Sequence, residues 1–95
     1  MARVILSRRA EQDIRAIWME IARDNEPAAD NLVRRFLERA DLAATQPNMG
    51  TPRPELSPTA RLLIEGNYVL IYEPMDYGIL LIAIVHGGRN PDNWL

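Results

Sequence analysis

There is no cysteine in this chain and no lysine: all eleven of its basic residues are arginine. Without cysteine there is no disulfide framework and no thiolate metal site, and the composition fits a reducing cytoplasm. Without lysine the chain lacks the commonest base with a tunable pKa after histidine, and it has a single histidine. No apolar run approaches membrane-spanning length, and Met1 to Arg9 hold too short an apolar stretch for a signal peptide. A long basic stripe is also missing. Net charge is −2, the arginines of the first half are balanced by acids, and Arg53, Arg61 and Arg89 face Glu55, Glu65, Glu73, Asp76 and Asp92 in the second. A free-standing nucleic-acid binder would show such a stripe, because phosphate contacts supply most of its affinity. Direct nucleic-acid binding and membrane association are therefore not expected.

What the chain does have is apolar residues, 47% over 95 positions, enough for one domain, 1–95, with a real core. The most apolar stretch is Gly78-Ile79-Leu80-Leu81-Ile82-Ala83-Ile84-Val85, rich in β-branched residues and closed by His86-Gly87-Gly88-Arg89. It is short and bounded by glycine, so it reads as a strand covered on both faces that delivers His86 and Arg89 at its end.

Arg3 to Leu6 reads as a short edge strand, and Ser7 as the N-cap of a helix, without the Glu or Gln at position 10 that would complete a capping box. Ala10, Ile14, Ile17, Trp18, Ile21 and Ala22 form one apolar stripe, with Glu11 and Arg15 spaced for a surface ion pair. The helix should stop near Asp24-Asn25, and Pro27 marks the first turn of another. Its stripe is Ala29, Leu32, Val33, Phe36, Leu37, Ala40 and Ala43. So short a link makes the two helices antiparallel neighbours. Gln46 to Thr59 carries four prolines, which exclude helix and central strand and suggest either a functional loop or a braced wrap-around. Residues 61–65 and 68–73 form a hairpin, its Gly66-Asn67 turn of type II′. Pro74 to Gly78 turns into the apolar run. The order is β-α-α-β-β-β, an α+β fold with a helical hairpin on one face of a small, mainly antiparallel sheet.

Candidate chemistry is sparse. One His, no Cys and no carboxylate cluster leave a metal without a first shell, and no cofactor motif is present. His86 reads either as a strand-end residue satisfied by backbone or water, or as a base or recognition residue. Arg61 and Arg89 lie at strand ends and could flank a shared anion or acidic-partner site, or be ordinary surface arginines. Trp18 reads as core packing, or as one wall of a groove for a partner helix.

Four segments, in order along nearly the whole chain, resemble the RelE/ParE toxin superfamily: Leu6-Ser7-Arg8-Arg9-Ala10-Glu11-Gln12-Asp13-Ile14, Gly50-Thr51-Pro52-Arg53-Pro54-Glu55-Leu56, Gly66-Asn67-Tyr68-Val69-Leu70-Ile71-Tyr72 and Val85-His86-Gly87-Gly88-Arg89. The loop Arg53, Pro54, Glu55, Leu56 and the His-Gly-x-Arg ending resemble the ParE branch. The resemblance implies a small toxin of a type II toxin–antitoxin pair that inhibits DNA gyrase by protein binding, without catalytic residues or cofactor. It also implies neutralisation by a ParD-like, ribbon-helix-helix antitoxin in a hetero-oligomer. On that basis Arg61, His86 and Arg89 are candidate target-binding residues, and Ile14, Trp18 and Ile21 candidate antitoxin-binding residues. The RelE branch, which cleaves messenger RNA on the ribosome, is the alternative. It relies on Lys, Arg and a carboxyl-terminal aromatic or His, and here only Arg61, His86, Arg89 and Trp94 stand at comparable places. Arginine stays protonated and indole only donates, so the endonuclease reading is the weaker.

Overall fold

The strand Gly78–His86 (β5) lies between two neighbours of opposite direction. In the computed structural model, which describes residues 2–95, Arg3–Leu6 (β1) pairs with it in parallel and Tyr68–Met75 (β4) antiparallel. Arg61–Glu65 (β3) pairs antiparallel with β4, and the two-residue strand Thr51–Pro52 (β2) closes the sheet on the far side, giving the order β1-β5-β4-β3-β2. The expected β-α-α-β-β-β order holds with β2 added. Pro52 has no N–H to donate, which an edge strand tolerates.

Two helices connect β1 to the meander: Arg8–Ala22 (α1) and Glu26–Thr45 (α2). Ser7 ends β1 and starts α1 at once. Its backbone N–H donates to the Leu81 carbonyl at 3.0 Å, its hydroxyl donates to the Ile82 carbonyl at 2.6 Å, and the same oxygen accepts the Ala10 N–H at 2.9 Å. Asn25 caps α2 by accepting the Ala28 N–H at 3.0 Å, with Pro27 in the first turn. β1 can approach β5 only because Gly78 has no side chain. Its φ is +141°, and a Cβ there would lie 2.2 Å from the Arg3 carbonyl oxygen. Gly66, at φ +59°, leads the β3–β4 turn, and no non-glycine described residue has positive φ, the sign pattern of type II′.

The helices cover one face of the sheet. Leu32, Phe36, Ala40, Ala43 and Ala44 of α2 and Ala10 of α1 are buried against Leu63, Leu70, Tyr72, Ile79, Leu81 and Ile84, with Ile14, Ile17 and Ile21 packed at the margin. Small residues along α2 let it sit close to the strands. Two expectations need correction here, and the two readings of Trp18 are decided. Trp18 is not in the core but half-buried on the helix surface. Leu37 is 40% exposed, because it lies on the solvent side of a stripe narrower than periodicity suggested. Glu11 and Arg15 form no ion pair, whereas Arg9 and Asp13, also four apart, do at 3.1 Å.

The other face is covered by segments with no regular pattern. Leu62, Val69, Ile71, Ala83 and Val85 pack with Ala60 and Trp94, and Leu56 and Ile82 join at the edge. Of the two readings of the proline-rich loop, the braced wrap-around is what forms. The Tyr72 hydroxyl donates to the Pro47 carbonyl at 2.7 Å and accepts the Gly50 N–H at 2.9 Å. Arg61 donates through Nη1 to the carbonyls of Asn48 and Gly50, at 2.8 and 2.7 Å. The Glu73 carboxylate accepts from Ser57, at 3.1 Å, and from Thr59. After β5 the chain turns through the short helix Pro91–Asn93 and inserts Trp94 beneath the outer face.

Candidate functional site

Two concave regions flank α1. The first is an apolar groove of about 390 Å³ along the outer side of the helical hairpin, lined by Leu6, Ile14, Trp18 and Val33 with Glu11 and Arg15 at its rim. The Trp18 indole N–H donates to Asp30 of α2 at 2.7 Å, which fixes the ring as a wall bridging both helices. Of the three residues expected to meet an antitoxin, Ile14 and Trp18 line this groove. Ile21 packs on the core margin instead.

The second is a polar cleft of about 420 Å³ where α1 crosses the end of β5, lined by Arg9, Asp13, Ile17, Glu20, Tyr68, His86 and Arg89 among others. It exists because β1 is shorter than β5. Past Ser7 the edge of β5 has no partner strand, and Asp13 fills the gap by accepting the Ile84 N–H at 3.0 Å. Asp13 also accepts from Arg9, so one carboxylate ties helix to strand. His86 is held from two sides. Its Nδ1 accepts the Gly88 N–H at 3.2 Å, and its ring stands edge-on to Tyr68, centroids 5.5 Å apart. Tyr68 stands edge-on to buried Phe36 at 5.4 Å, so a line of three rings runs from core to cleft. With Nδ1 accepting from Gly88, Nε2 is the ring nitrogen without a partner among the described residues. The Arg89 and Glu20 side chains make no hydrogen bond or ion pair to another described residue.

Arg61 does not belong to this cleft, contrary to the expected grouping with His86 and Arg89. It pairs with Tyr72 in the sheet, while His86 pairs with Tyr68. Four strand positions separate those levels, roughly 13 Å, and the Arg61 guanidinium is spent on the loop carbonyls. In the loop, Arg53, Pro54 and Glu55 are exposed. Arg53 borders a shallow outer-face depression of about 460 Å³ that also touches Ile64, His86, Gly87 and Trp94. Leu56 is turned in toward the outer cluster. Sequence reasoning did not find Arg9, Asp13, Glu20 or Tyr68. The usable signal was the (i, i+4) pair Arg9–Asp13 directly after a strand shorter than its partner. Among the described residues no three His, Cys, Asp or Glu side chains gather as a metal site requires, and no helix is long and apolar enough to cross a membrane.

A family model for the ParE toxin of the type II toxin–antitoxin system parDE matches residues 4–91. The chain belongs to the ParE toxin family. The match takes in both helices, the proline-rich loop, the meander and the His86–Arg89 ending. Among solved structures, one described as the chromosomal ParDE toxin–antitoxin system from P. aeruginosa is similar, with a TM-score of 0.74, 22% identity, and coverage of 90% of this chain and 96% of the other. At that identity the likeness speaks for the fold. No curated protein gives a significant match. Family membership makes the protein a toxin of a type II toxin–antitoxin system, with an antitoxin as its partner in a complex.

Proposed function

We propose that this toxin acts in the cytoplasm by docking on DNA gyrase, with no bond-making chemistry of its own, and that a ParD-like antitoxin neutralises it in a hetero-oligomer. The observation that supports docking over RNA cleavage most is the dispersal of the arginines. A ribonuclease must bring several cations and a proton-transfer pair to one phosphate. Here Arg61 braces a loop at one end of the sheet and Arg53 lies on the outer face, and of the two arginines in the cleft Arg9 is already engaged by Asp13 and the Trp94 carbonyl, which leaves Arg89 beside His86. What the cleft offers is the His86 ring held against Tyr68, the unengaged Arg89 guanidinium and the Glu20 carboxylate, a set suited to recognising a protein surface. The apolar groove supports the second half of the proposal. Its length along α1, its aromatic wall and its charged rim suit an amphipathic antitoxin helix.

The test is supercoiling by gyrase with purified, folded protein. Inhibition that antitoxin relieves is expected, and Arg89→Ala should raise the concentration required by about tenfold. Trp18→Ala should weaken antitoxin binding without abolishing gyrase inhibition. Unimpaired supercoiling together with messenger RNA cleavage in a translation extract would replace this proposal with the endonuclease reading.

A further inference from the structure

We infer that Arg9 and Trp94 form a latch that sets Arg89 at the rim of the polar cleft. They would be positioning residues for the recognition proposed above, and the functional part of this inference rests on that reading. The segment 87–95 leaves the sheet at one fixed point and ends at another. At its start, the Gly87 N–H donates to the Asn67 carbonyl at 2.8 Å and the Arg89 N–H to the His86 carbonyl at 3.1 Å. Asn90 then caps the short helix by accepting the Asp92 N–H at 3.1 Å. At the far end, Trp94 is 7% exposed beneath the outer face of the sheet, and its carbonyl accepts from Arg9 Nη2 at 2.8 Å.

Arg9 is unusual among the surface arginines in what it joins. Its Nε lies 3.1 Å from Asp13, whose carboxylate also accepts the Ile84 N–H. One guanidinium therefore connects α1, the bare edge of β5 and the returning segment. Arg89 lies between the two anchors and its side chain has no partner among the described residues, so its reach into the cleft is set by its pinned backbone. The Trp94 indole N–H is buried without an acceptor. The ring is thus held by apolar burial against Leu62, Val69, Ile71 and Val85, and by nothing at its nitrogen. Phenylalanine should hold the seat as well as tryptophan does, whereas alanine should not.

The latch is first read without any target. In a Trp18→Phe background Trp94 is the one remaining tryptophan. Adding Arg9→Ala should raise acrylamide quenching of Trp94 severalfold. In the full chain it should also speed amide exchange at Arg89 by about tenfold while leaving Phe36 and Leu70 unchanged. Unaltered quenching and exchange would overturn the latch. Positioning is read on gyrase. Arg9→Ala and Trp94→Ala should each weaken inhibition, Trp94→Phe should retain it, and Arg9→Ala combined with Arg89→Ala should be no weaker than Arg89→Ala alone. Losses that simply add would overturn the positioning role. Wild-type protein that leaves gyrase untouched would remove the functional reading and the positioning role together, while the latch is still decided by quenching and exchange.

Discussion

The two faces of this sheet are covered in different ways. On the inner face, α2 presses Phe36, Ala40 and Ala43 onto Leu63, Leu70 and Ile79, and fully buried side chains follow one another without a polar interruption. On the outer face, Leu62, Ile71, Ala83 and Val85 are just as apolar, but their cover is a proline-rich loop and one returning tryptophan. The inner cover is held by area removed from water, which needs no particular atom. The irregular segments that supply the outer cover are held at points: the Tyr72 hydroxyl and Arg61 Nη1 at the start of the loop, the Glu73 carboxylate further along it and the Arg9 guanidinium at the returning tryptophan. A face covered by point attachments can yield locally while the other stays folded. The cleft and the outer-face depression both border the point-attached cover, whereas the apolar groove sits on the helices.

That contrast can be broken first on the inner side. Phe36 is fully buried and supports Tyr68 edge-on, so Phe36→Ala should cost about 3–5 kcal/mol in a denaturant melt. It should also loosen the whole domain, His86 included, since the line of rings to the cleft loses its base. A loss below about 1 kcal/mol would mean the inner packing is no more continuous than the outer.

The next effect belongs to the outer cover. Tyr72→Phe keeps the ring in the inner cluster but removes the hydroxyl that serves Pro47 and Gly50. Because the bond to the Gly50 N–H is buried, its loss should cost about 1–3 kcal/mol. Proteolysis within 46–60 should accelerate, with little change in exchange at Phe36. Equal protection of loop and helices in this variant would show that the outer cover is not held at points. Ser7→Ala is expected to cost less, about 1 kcal/mol, since the Ser7 backbone N–H still reaches Leu81. Its thermal melt should show no change in the exposure of Trp94.

The same contrast explains what could be read from the sequence. α1 and α2 are legible because each buries one face at a regular period, and the meander because apolar runs bounded by turn residues mark strands covered on both faces. The cover of the outer face has no period. Tyr72 reaches Pro47 across 25 positions and Arg9 reaches Trp94 across 85, and nothing local announces either bond. The seating of Trp94 beneath the outer face leaves no mark in the letters for that reason. The placement of Arg61 beside Arg89 is a different kind of miss. In an antiparallel meander β3 and β5 run the same way, so the start of one cannot lie near the end of the other. Chain direction alone was enough to separate them. Trp18 missed the core because its stripe position borders the groove, where the Asp30 carboxylate offered its N–H a partner that the apolar interior did not.

The smallest effect concerns the one ion pair among the described residues that links the helix layer to the sheet. Arg35 Nε of α2 lies 3.3 Å from Glu65 at the end of β3, with the arginine side chain 52% exposed. A pair so open to water gains little Coulomb energy and must hold a long side chain in place, so Arg35→Ala should cost only about 0.2–1 kcal/mol. Raising the salt should reduce even that, because an exposed pair is screened. A chemical melt of Arg35→Ala at low and high ionic strength decides the matter. If the loss exceeded about 2 kcal/mol and vanished in salt, the helices too would be fastened at a point, and the difference between the two faces would be one of degree.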